Sequence, residues 1–358
     1  MLIPPSSPHV SGAASVQQVM LLVALALLPG TMFGIYQFGW PALFLFLITV
    51  FSAVFFEAVC LLIAGKPVRF YCMDLSALLT GWLLAMTLPP WSPWWIGVLG
   101  SFCAIVIGKQ IFGGLGQNLF NPAMLARTIL LVSFPLEMTT WVTPKPFGTE
   151  QTPDAASGWS ITVDGITNLD AVSSASMLGH VRTELGRGET VPDILLSVYD
   201  PISSAVGTIS GSLGETSAIL FLLGGLFLLF KRVITWHIPV AMLATVLLLS
   251  TIFTLANPEH YPGPLFHLLN GGLMLGAFFI ATDPVTSPVS NLGKIIFGAG
   301  CGLLLFIIRS WGGYPEGMAF AVLLMNAATP LIDYYIKPRI YGHKGSPVTE
   351  FFRKMRQE

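Results

Sequence analysis

A cluster of serine hydroxyl groups lies in the middle of the chain, inside its most acidic segment. The sequence there reads Asp170-Ala-Val-Ser-Ser-Ala-Ser176, followed by the apolar Met177-Leu178. Nine of the 18 Asp and Glu residues fall between Glu137 and Asp200, with only three of the 17 basic residues. So long a loop in an otherwise apolar chain usually has a function. These hydroxyl groups are therefore the first place to look for chemistry.

A second group of polar side chains lies between residues 108 and 127, which are rich in glycine and amides. Asn121-Pro122 is a strong helix start, with Asn as the N-cap and Pro at the first helical position. Arg127 follows about one and a half turns later. With the nearby amides of Gln117 and Asn118, this helix start could hold an anionic or polar ring system. The alternative is that Asn121 only caps the helix.

Other polar residues fall inside or beside apolar stretches. Thr282-Asp283-Pro284 places an acid at the end of a short span, and an ionisable residue there predicts a functional site. The alternative is that Asp283 is a turn or cap residue. Glu57 and Asp74 could each pair with Lys66 or Arg69, and the sequence leaves that choice open. Arg309 stands two residues before Trp311, which predicts a side chain that extends to the membrane interface.

Several classes of site are not expected. The six histidines are scattered, so we predict no metal site built from them. Four cysteines without a CxxC pair predict buried apolar residues rather than iron–sulfur or zinc ligands. Nucleophile elbows and phosphate-binding loops are missing from the sequence. Gly114-Leu-Gly116 has no strand before it, so it is no dinucleotide fingerprint.

The composition is that of a polytopic membrane protein. Mean hydropathy is +0.74, with 54 % hydrophobic and 10 % charged residues. A bilayer requires about 17–25 apolar residues per straight helix. Ten segments are candidate spans, several of them too short to cross as straight helices: Val16–Tyr36, Trp40–Ala64, Asp74–Leu88, Trp94–Ile111, Pro122–Pro135, Glu215–Phe230, Trp236–Leu255, Pro264–Thr282, Leu292–Ile308 and Gly317–Ile336.

Basic residues set the predicted orientation. The C-terminal tail carries six Lys and Arg residues, which places it in the cytoplasm. Counting back through ten spans puts the acidic segment outside and Met1 inside. The first residues of the chain lack the basic region of a signal peptide. The predicted organisation is a first repeat over 1–136, an outward loop over 137–214, a second repeat over 215–342 and a basic tail over 343–358.

The two sets of five spans carry the same turn-forming and helix-breaking residues at matched positions. At one fixed offset, glycine, threonine, serine and proline recur as Gly81/Gly276, Thr87/Thr282, Pro89/Pro284, Ser92/Ser287 and Pro93/Pro288. Five spans per half make the second half run opposite to the first, as an inverted repeat. Helices broken at paired positions of two repeats point to a central binding site or pathway. The alternative is that these residues form plain turns at span ends.

The chain resembles the NqrB/RnfD family of electron-transporting membrane subunits. The resemblance runs from about Val16 to Gly342 and is most specific over Phe112–Ala123, Gly276–Pro284 and Trp311–Tyr341. NqrB proteins usually carry a longer N-terminal extension, so the RnfD branch is favoured. The resemblance implies an all-α polytopic membrane protein of ten helices in a 5+5 inverted repeat, similar to urea-transporter folds.

The resemblance also implies an FMN joined through its phosphate to a hydroxyl of the outward loop. The family motif is Asp-x-x-(Ser/Thr)-Gly-Ala-(Thr/Ser), which Asp170, Ser173, Ala175 and Ser176 match. Ser176 is then the acceptor, in an exposed and flexible loop that a flavin transferase can reach. Two positions depart from the usual pattern: Ser174 replaces glycine, and Ser176 replaces threonine. An ordinary serine-rich loop without flavin is the alternative.

A second, non-covalent flavin (riboflavin or FMN) is implied on the cytoplasmic side. Its expected neighbours are Gln117, Asn118, Asn121, Arg127, Thr282 and Asp283. The implied partners are the lipid bilayer, other Rnf membrane subunits, and iron–sulfur and flavin subunits that bind NAD and ferredoxin. No nucleic-acid partner is expected, and the expected location is the bacterial cytoplasmic membrane.

The function implied is electron transfer coupled to movement of Na⁺ or H⁺. A different class, a solute channel or transporter without a redox role, would suit the same inverted repeat. A scaffolding subunit that has lost its cofactor is a third alternative. The sequence leaves the ion and the direction of electron flow open.

Overall fold

The computed structural model describes residues 15–166, 173–314 and 316–337, and most of them are helical. Within these ranges, four helices are long and apolar enough to cross a membrane: Val16–Ile63, His237–Ala256, Asn291–Trp311 and Met318–Tyr335. Four shorter apolar helices accompany them: Ser76–Thr87, Trp94–Gln110, Pro122–Ser133 and Ala218–Phe230. The prediction of a helical membrane protein is confirmed, whereas the ten-span 5+5 repeat stays a prediction.

The elements follow one another in three groups. The first group is α1 (Val16–Ile63), α2 (Val68–Cys72), α3 (Ser76–Thr87), α4 (Trp94–Phe102) with a π-helical continuation (Cys103–Gln110), and α5 (Pro122–Ser133). The second is α6 (Pro135–Thr139), β1 (Trp141–Val142), α7 (Ala155–Asp164), β2 (Ser173–Ser174), α8 (Met177–Gly186), α9 (Val191–Val198), α10 (Pro201–Val206) and a 3₁₀ turn (Leu213–Glu215). The third is α11 (Ala218–Phe230), α12 (His237–Ala256), α13 (Pro264–Leu269), α14 (Leu273–Leu275) with a π-helical continuation (Gly276–Ile280), α15 (Asn291–Trp311) and α16 (Met318–Tyr335).

Helix α1 contains two of the predicted spans and is interrupted at Gly39. Gly39 has φ +74° and ψ −157°, a conformation that glycine adopts readily. Trp82 shows that the two arms lie side by side. Its Nε1 donates to Thr31 Oγ1 at 2.8 Å, and its ring contacts Phe46 edge-on at 5.3 Å. Because Thr31 and Phe46 lie about equally far from Gly39 in sequence, the chain reverses there.

Several helices are too short to cross a bilayer alone. The twelve residues of α3 rise about 18 Å, against about 30 Å of hydrocarbon. Leu88 to Trp91, which follow α3, are non-helical and buried. The predicted span Pro264–Thr282 is likewise broken between Leu269 and Leu273. Irregular backbone at membrane depth is tolerated only where protein satisfies its polar groups.

An ion pair satisfies the break between α13 and α14. Arg309 donates to the carbonyls of His267 at 2.9 Å and Asn270 at 3.1 Å, and it pairs with Glu316 at 2.7 Å. Glu316 also accepts from the backbone N–H of Gly272 at 3.2 Å. The prediction that Arg309 reaches the membrane interface is wrong, because its side chain is only 1 % exposed.

The acidic segment packs against one end of the helices, which we call the loop side. Trp159 of α7 contacts Phe44 at 5.5 Å, and Lys145 N–H donates to the carbonyl of Gln37. Strands β1 and β2 pair antiparallel, with Trp141 opposite Ser174. The described residues of this segment therefore form short packed elements.

We expect Arg309→Gln to destabilise the fold by about 3–5 kcal/mol, because it leaves the buried carboxylate of Glu316 without its charge partner. The matched control is Arg187→Gln. Arg187 pairs with Glu184 at 2.7 Å, but its side chain is 69 % exposed, so the expected change is about 0–1 kcal/mol. Thermal unfolding in detergent would compare them, and equal effects would contradict a structural role for the buried pair.

Candidate functional site

Ser176 is the N-cap of α8. Its Oγ accepts a hydrogen bond from the backbone N–H of Gly179 at 3.2 Å, and the residue is only 6 % exposed. Serine is a favoured N-cap because its oxygen satisfies an N–H that has no partner within the helix. The expectation of an exposed acceptor hydroxyl is therefore wrong for this conformation. The cap holds the hydroxyl in place.

The rest of the predicted attachment motif lies just before α8. Ser173 and Ser174 form β2, and Ala175 is exposed. Asp170 lies outside the described residues. Because Ser174 pairs in an extended strand, its backbone does not need the left-handed conformation for which glycine is favoured. The serine found there costs no backbone strain.

Helix α8 is fixed to the membrane helices through both polar and apolar contacts. Arg182 donates to the carbonyls of Gly312 and Tyr314, just beyond the end of α15. Leu178 and Val181 pack in an apolar cluster with Ile194 and Phe266. These contacts place the Ser176 end of α8 on the loop side.

A cleft opens between α8 and the ends of α12 and α15, and we call it the loop-side cleft. Its volume is about 380 Å³, within the range of small-molecule sites. Its lining is mostly apolar and basic: Leu178, Val181, Arg182, Leu185, Gly186, His260, Tyr261, Pro262, Phe266, His267, Arg309, Ser310 and Trp311. His267 is only 3 % exposed, and neither of its ring nitrogens has a hydrogen-bond partner.

A second cleft lies at the other end of the helices, and we call it the opposite cleft. It is lined by Val233 and Ile234, just before α12, whereas Tyr261 of the loop-side cleft follows α12. The 20 residues of α12 put about 30 Å between these ends. The structure brings four of the residues predicted for a second flavin to the opposite cleft: Asn118, Asn121, Thr282 and Asp283.

These four residues already make local contacts. Asn121 Oδ1 accepts from the N–H groups of Ala123 and Met124 at 3.1 and 3.2 Å, which confirms the predicted helix cap. Asp283 likewise accepts from the Val285 N–H and the Thr286 hydroxyl, as a turn residue. Thr282 Oγ1 donates to the carbonyl of Phe278.

Asn118 is the member of this group that retains an unused polar atom. Its Nδ2 donates to the carbonyl of Phe120 at 3.1 Å, while its Oδ1 is buried without a partner. A ligand that entered the cleft as its side chains moved apart would give this buried acceptor a partner. Gln117, predicted beside it, is exposed and does not line the cleft.

Arg127 is separated from the other predicted residues. It is 7 % exposed, and its Nη1 has no hydrogen-bond partner. It lines a different cavity of about 20 Å³, together with Ser212, Glu215 and Glu316. This volume suffices for about one water molecule. Arg127 thus belongs to a buried charged group between the two clefts, and sequence reasoning missed its acidic members.

Lys109 is a site residue that sequence reasoning did not identify. It is 1 % exposed and lines the opposite cleft. Its Nζ pairs with Glu57 at 2.9 Å and donates to Ser76 Oγ at 2.7 Å. Ser76 Oγ in turn lies 2.5 Å from Asp74 Oδ1. The predicted pairing of Glu57 and Asp74 with Lys66 or Arg69 is wrong.

Two acids of the acidic segment act as helix caps. Asp154 accepts from the Ser157 N–H at the start of α7, and Asp200 accepts from the Ile202 and Ser203 N–H groups at the start of α10. Hydrogen bonds from Ser157 and Ser203 lower the pKa of these two carboxyl groups. These hydrogen bonds favour the ionised form of both carboxyl groups.

Comparison with known proteins places the chain in a family of membrane redox subunits. Residues 4–342 match the NQR2, RnfD, RnfE family, and the chain belongs to it. This confirms the resemblance predicted from the sequence.

Similar proteins from several bacteria are named as a subunit of an ion-translocating oxidoreductase complex. The protein of Stutzerimonas stutzeri is 55 % identical over 94 % of this chain and 95 % of its own length. That of Halorhodospira halophila is 49 % identical over 96 % and 97 %. That of Rhodobacter capsulatus is 52 % identical over 86 % of each.

We expect Lys109→Met to destabilise the protein by about 3–5 kcal/mol, since it leaves Glu57 charged, buried and unpaired. The double variant Lys109→Met/Glu57→Leu removes both charges and should recover most of that loss. Lys66→Met is the control, because Lys66 is half-buried and its Nζ contacts the carbonyl of Gly113 at 3.4 Å rather than a carboxylate. Thermal unfolding in detergent measures all of them, and a double variant as unstable as the single one would contradict the pairing.

Proposed function

We propose that the chain is the membrane flavoprotein subunit of an Rnf-type ion-translocating oxidoreductase complex, with FMN attached to Ser176. Its family membership and the names of its similar proteins support the complex. The attachment rests on the match of Ser173, Ala175 and Ser176 to the family motif.

The position of Ser176 at the start of α8 is the observation that carries the proposal. An ester at Oγ would put a phosphate group at the N-terminus of a ten-residue helix. Helix N-termini favour anions because their first N–H groups lack partners within the helix and the helix dipole is positive there. The Gly179 N–H, which now bonds to Oγ, would be available to a phosphate oxygen.

The burial of Ser176 restricts when attachment can occur. A transferase needs access to Oγ, whereas the docked helix holds that atom in its cap. Attachment is therefore expected before α8 docks on the residues that follow α15, or after the first turn of α8 opens. The apolar contacts of Leu178 and Val181 would then enclose the end of α8 that carries the flavin.

A bound flavin accepts electrons in pairs and passes them on singly, and the protein positions it and tunes its potential. Electrons would come from iron–sulfur subunits, and NAD and ferredoxin would bind to other subunits. In this proposal the whole complex moves Na⁺ or H⁺ across the bacterial cytoplasmic membrane. Both termini would be cytoplasmic, and the ten spans would form the 5+5 repeat.

The opposite cleft is the proposed place for the second, non-covalent flavin. Its amide, hydroxyl and carboxyl groups suit the polar edge of a flavin ring, and Asn118 Oδ1 has no other partner. The volume does not fit: about 90 Å³ lies below the roughly 300 Å³ at which small-molecule sites begin. Binding would therefore require side chains of the cleft to move apart.

We expect wild-type protein, expressed with its partner subunits and a flavin transferase, to give a flavin-fluorescent band in a denaturing gel. Ser176→Ala should abolish the fluorescence, because it removes the acceptor oxygen. Ser176→Thr should keep it, and Ser174→Ala is the matched control within the motif. A wild-type band without fluorescence would overturn the attachment and favour a transporter or a cofactor-free scaffold.

The second flavin can be tested in the Ser176→Ala background, where only non-covalent flavin remains. Asn118→Ala should weaken its retention by about two- to tenfold, the effect of one hydrogen bond of about 0.5–1.5 kcal/mol. Gln117→Ala should leave retention unchanged, because Gln117 lies outside the cleft. Flavin released on denaturation measures both, and equal losses would argue against this site.

A further inference from the structure

The loop-side cleft combines aromatic walls with buried polar atoms that lack partners. Tyr261, Phe266 and Trp311 supply the aromatic surface. His267 is buried with both ring nitrogens unpartnered, and Arg309 Nε is also without a partner. Leaving a buried polar group unsatisfied costs about 1–3 kcal/mol. A ligand with an aromatic face and a polar edge would remove that cost.

We infer that this cleft receives the isoalloxazine ring of the flavin that is anchored at Ser176. The inference rests on the proposed function and adds the residues that hold the ring. One face of α8 forms a wall of the cleft through Leu178, Val181, Arg182 and Leu185. This wall begins two residues after Ser176 and extends for about 10 Å along the helix axis. A ribityl chain that continues from the phosphate on Ser176 can follow it.

The aromatic wall has a surface suited to stacking. Trp311 is 52 % exposed, and its contacts with Phe253, Tyr261 and Phe306 have interplanar angles of 73°, 65° and 83°. None of these three rings lies parallel to the indole, and about half of the Trp311 surface stays exposed. Offset stacking is a preferred arrangement of aromatic rings. A planar tricyclic ligand can therefore lie against Trp311.

The polar edge of such a ring would meet the basic side of the cleft. An isoalloxazine carries carbonyl oxygens and an N–H along one edge, which are the partners that His267 lacks. Arg309 uses its Nη atoms on His267 O, Asn270 O and Glu316, and its Nε is buried without a partner. Arg182, held by carbonyls beyond α15, adds positive charge at the same wall.

The test compares native and denatured flavin fluorescence of the same purified complex. A tryptophan stacked on a flavin quenches its emission, so native wild-type protein should be strongly quenched relative to the denatured chain. Trp311→Phe should raise native emission severalfold without changing the fluorescent band in the gel. Trp159→Phe is the matched control, since Trp159 is 53 % exposed on the same side but does not line the cleft.

A second readout concerns the polar edge. His267→Gln should shift the absorption maxima of the bound flavin and its midpoint potential, while the Trp159→Phe variant keeps wild-type values. Unchanged emission in Trp311→Phe together with unchanged spectra in His267→Gln would overturn this inference while leaving the attachment at Ser176 intact. A wild-type gel band without flavin would instead overturn the proposed function, and this inference with it.

Discussion

The ion pair between Arg309 and Glu316 is the interaction on which the loop-side half of the structure depends. It lies between the end of α13 and the start of α14. Arg309 and Glu316 hydrogen-bond to the backbone carbonyl and N–H groups that the broken helix leaves without partners. In a hydrocarbon environment those groups would otherwise be without partners. A charged pair is costly to bury, and here the backbone contacts that it makes offset much of that cost.

Gly271 joins this ion pair to α8. Its φ is +74°, and a Cβ built at this position would collide with Glu316, Arg309 and Leu178. The backbone therefore comes close to both the ion pair and the first turn of α8. Because Ser176 caps that helix, the proposed attachment residue and the broken membrane helix form one packed unit.

Three of the groups of buried polar side chains in the described residues lie at separate places along the membrane helices. The loop-side cleft and the opposite cleft lie near the two ends of α12, about 30 Å apart. Between them, Arg127, Glu215 and Glu316 surround a cavity with room for about one water. The two clefts lie at opposite ends of these helices, where the proposed function requires its two flavins.

The sequence by itself determined the local features. Asn121-Pro122 predicted the start of α5, and apolar runs interrupted by Gly and Pro predicted broken membrane helices. Family motifs fixed Ser176 as the candidate acceptor. The helix start and the helix breaks depend only on neighbouring residues. They follow from side-chain to backbone hydrogen bonds and from the backbone conformations that Pro and Gly allow.

Only the tertiary structure decided which distant polar groups meet. Glu57 and Lys109 lie 52 positions apart, and no local rule pairs them. Arg127 follows Asn121 closely in sequence, yet the two side chains line different cavities, because they point in different directions from α5. Ser176 is only 6 % exposed, at the start of a helix whose Arg182 bonds to residues beyond α15. Packing between remote segments sets burial and charge pairing, so a linear reading left both undetermined.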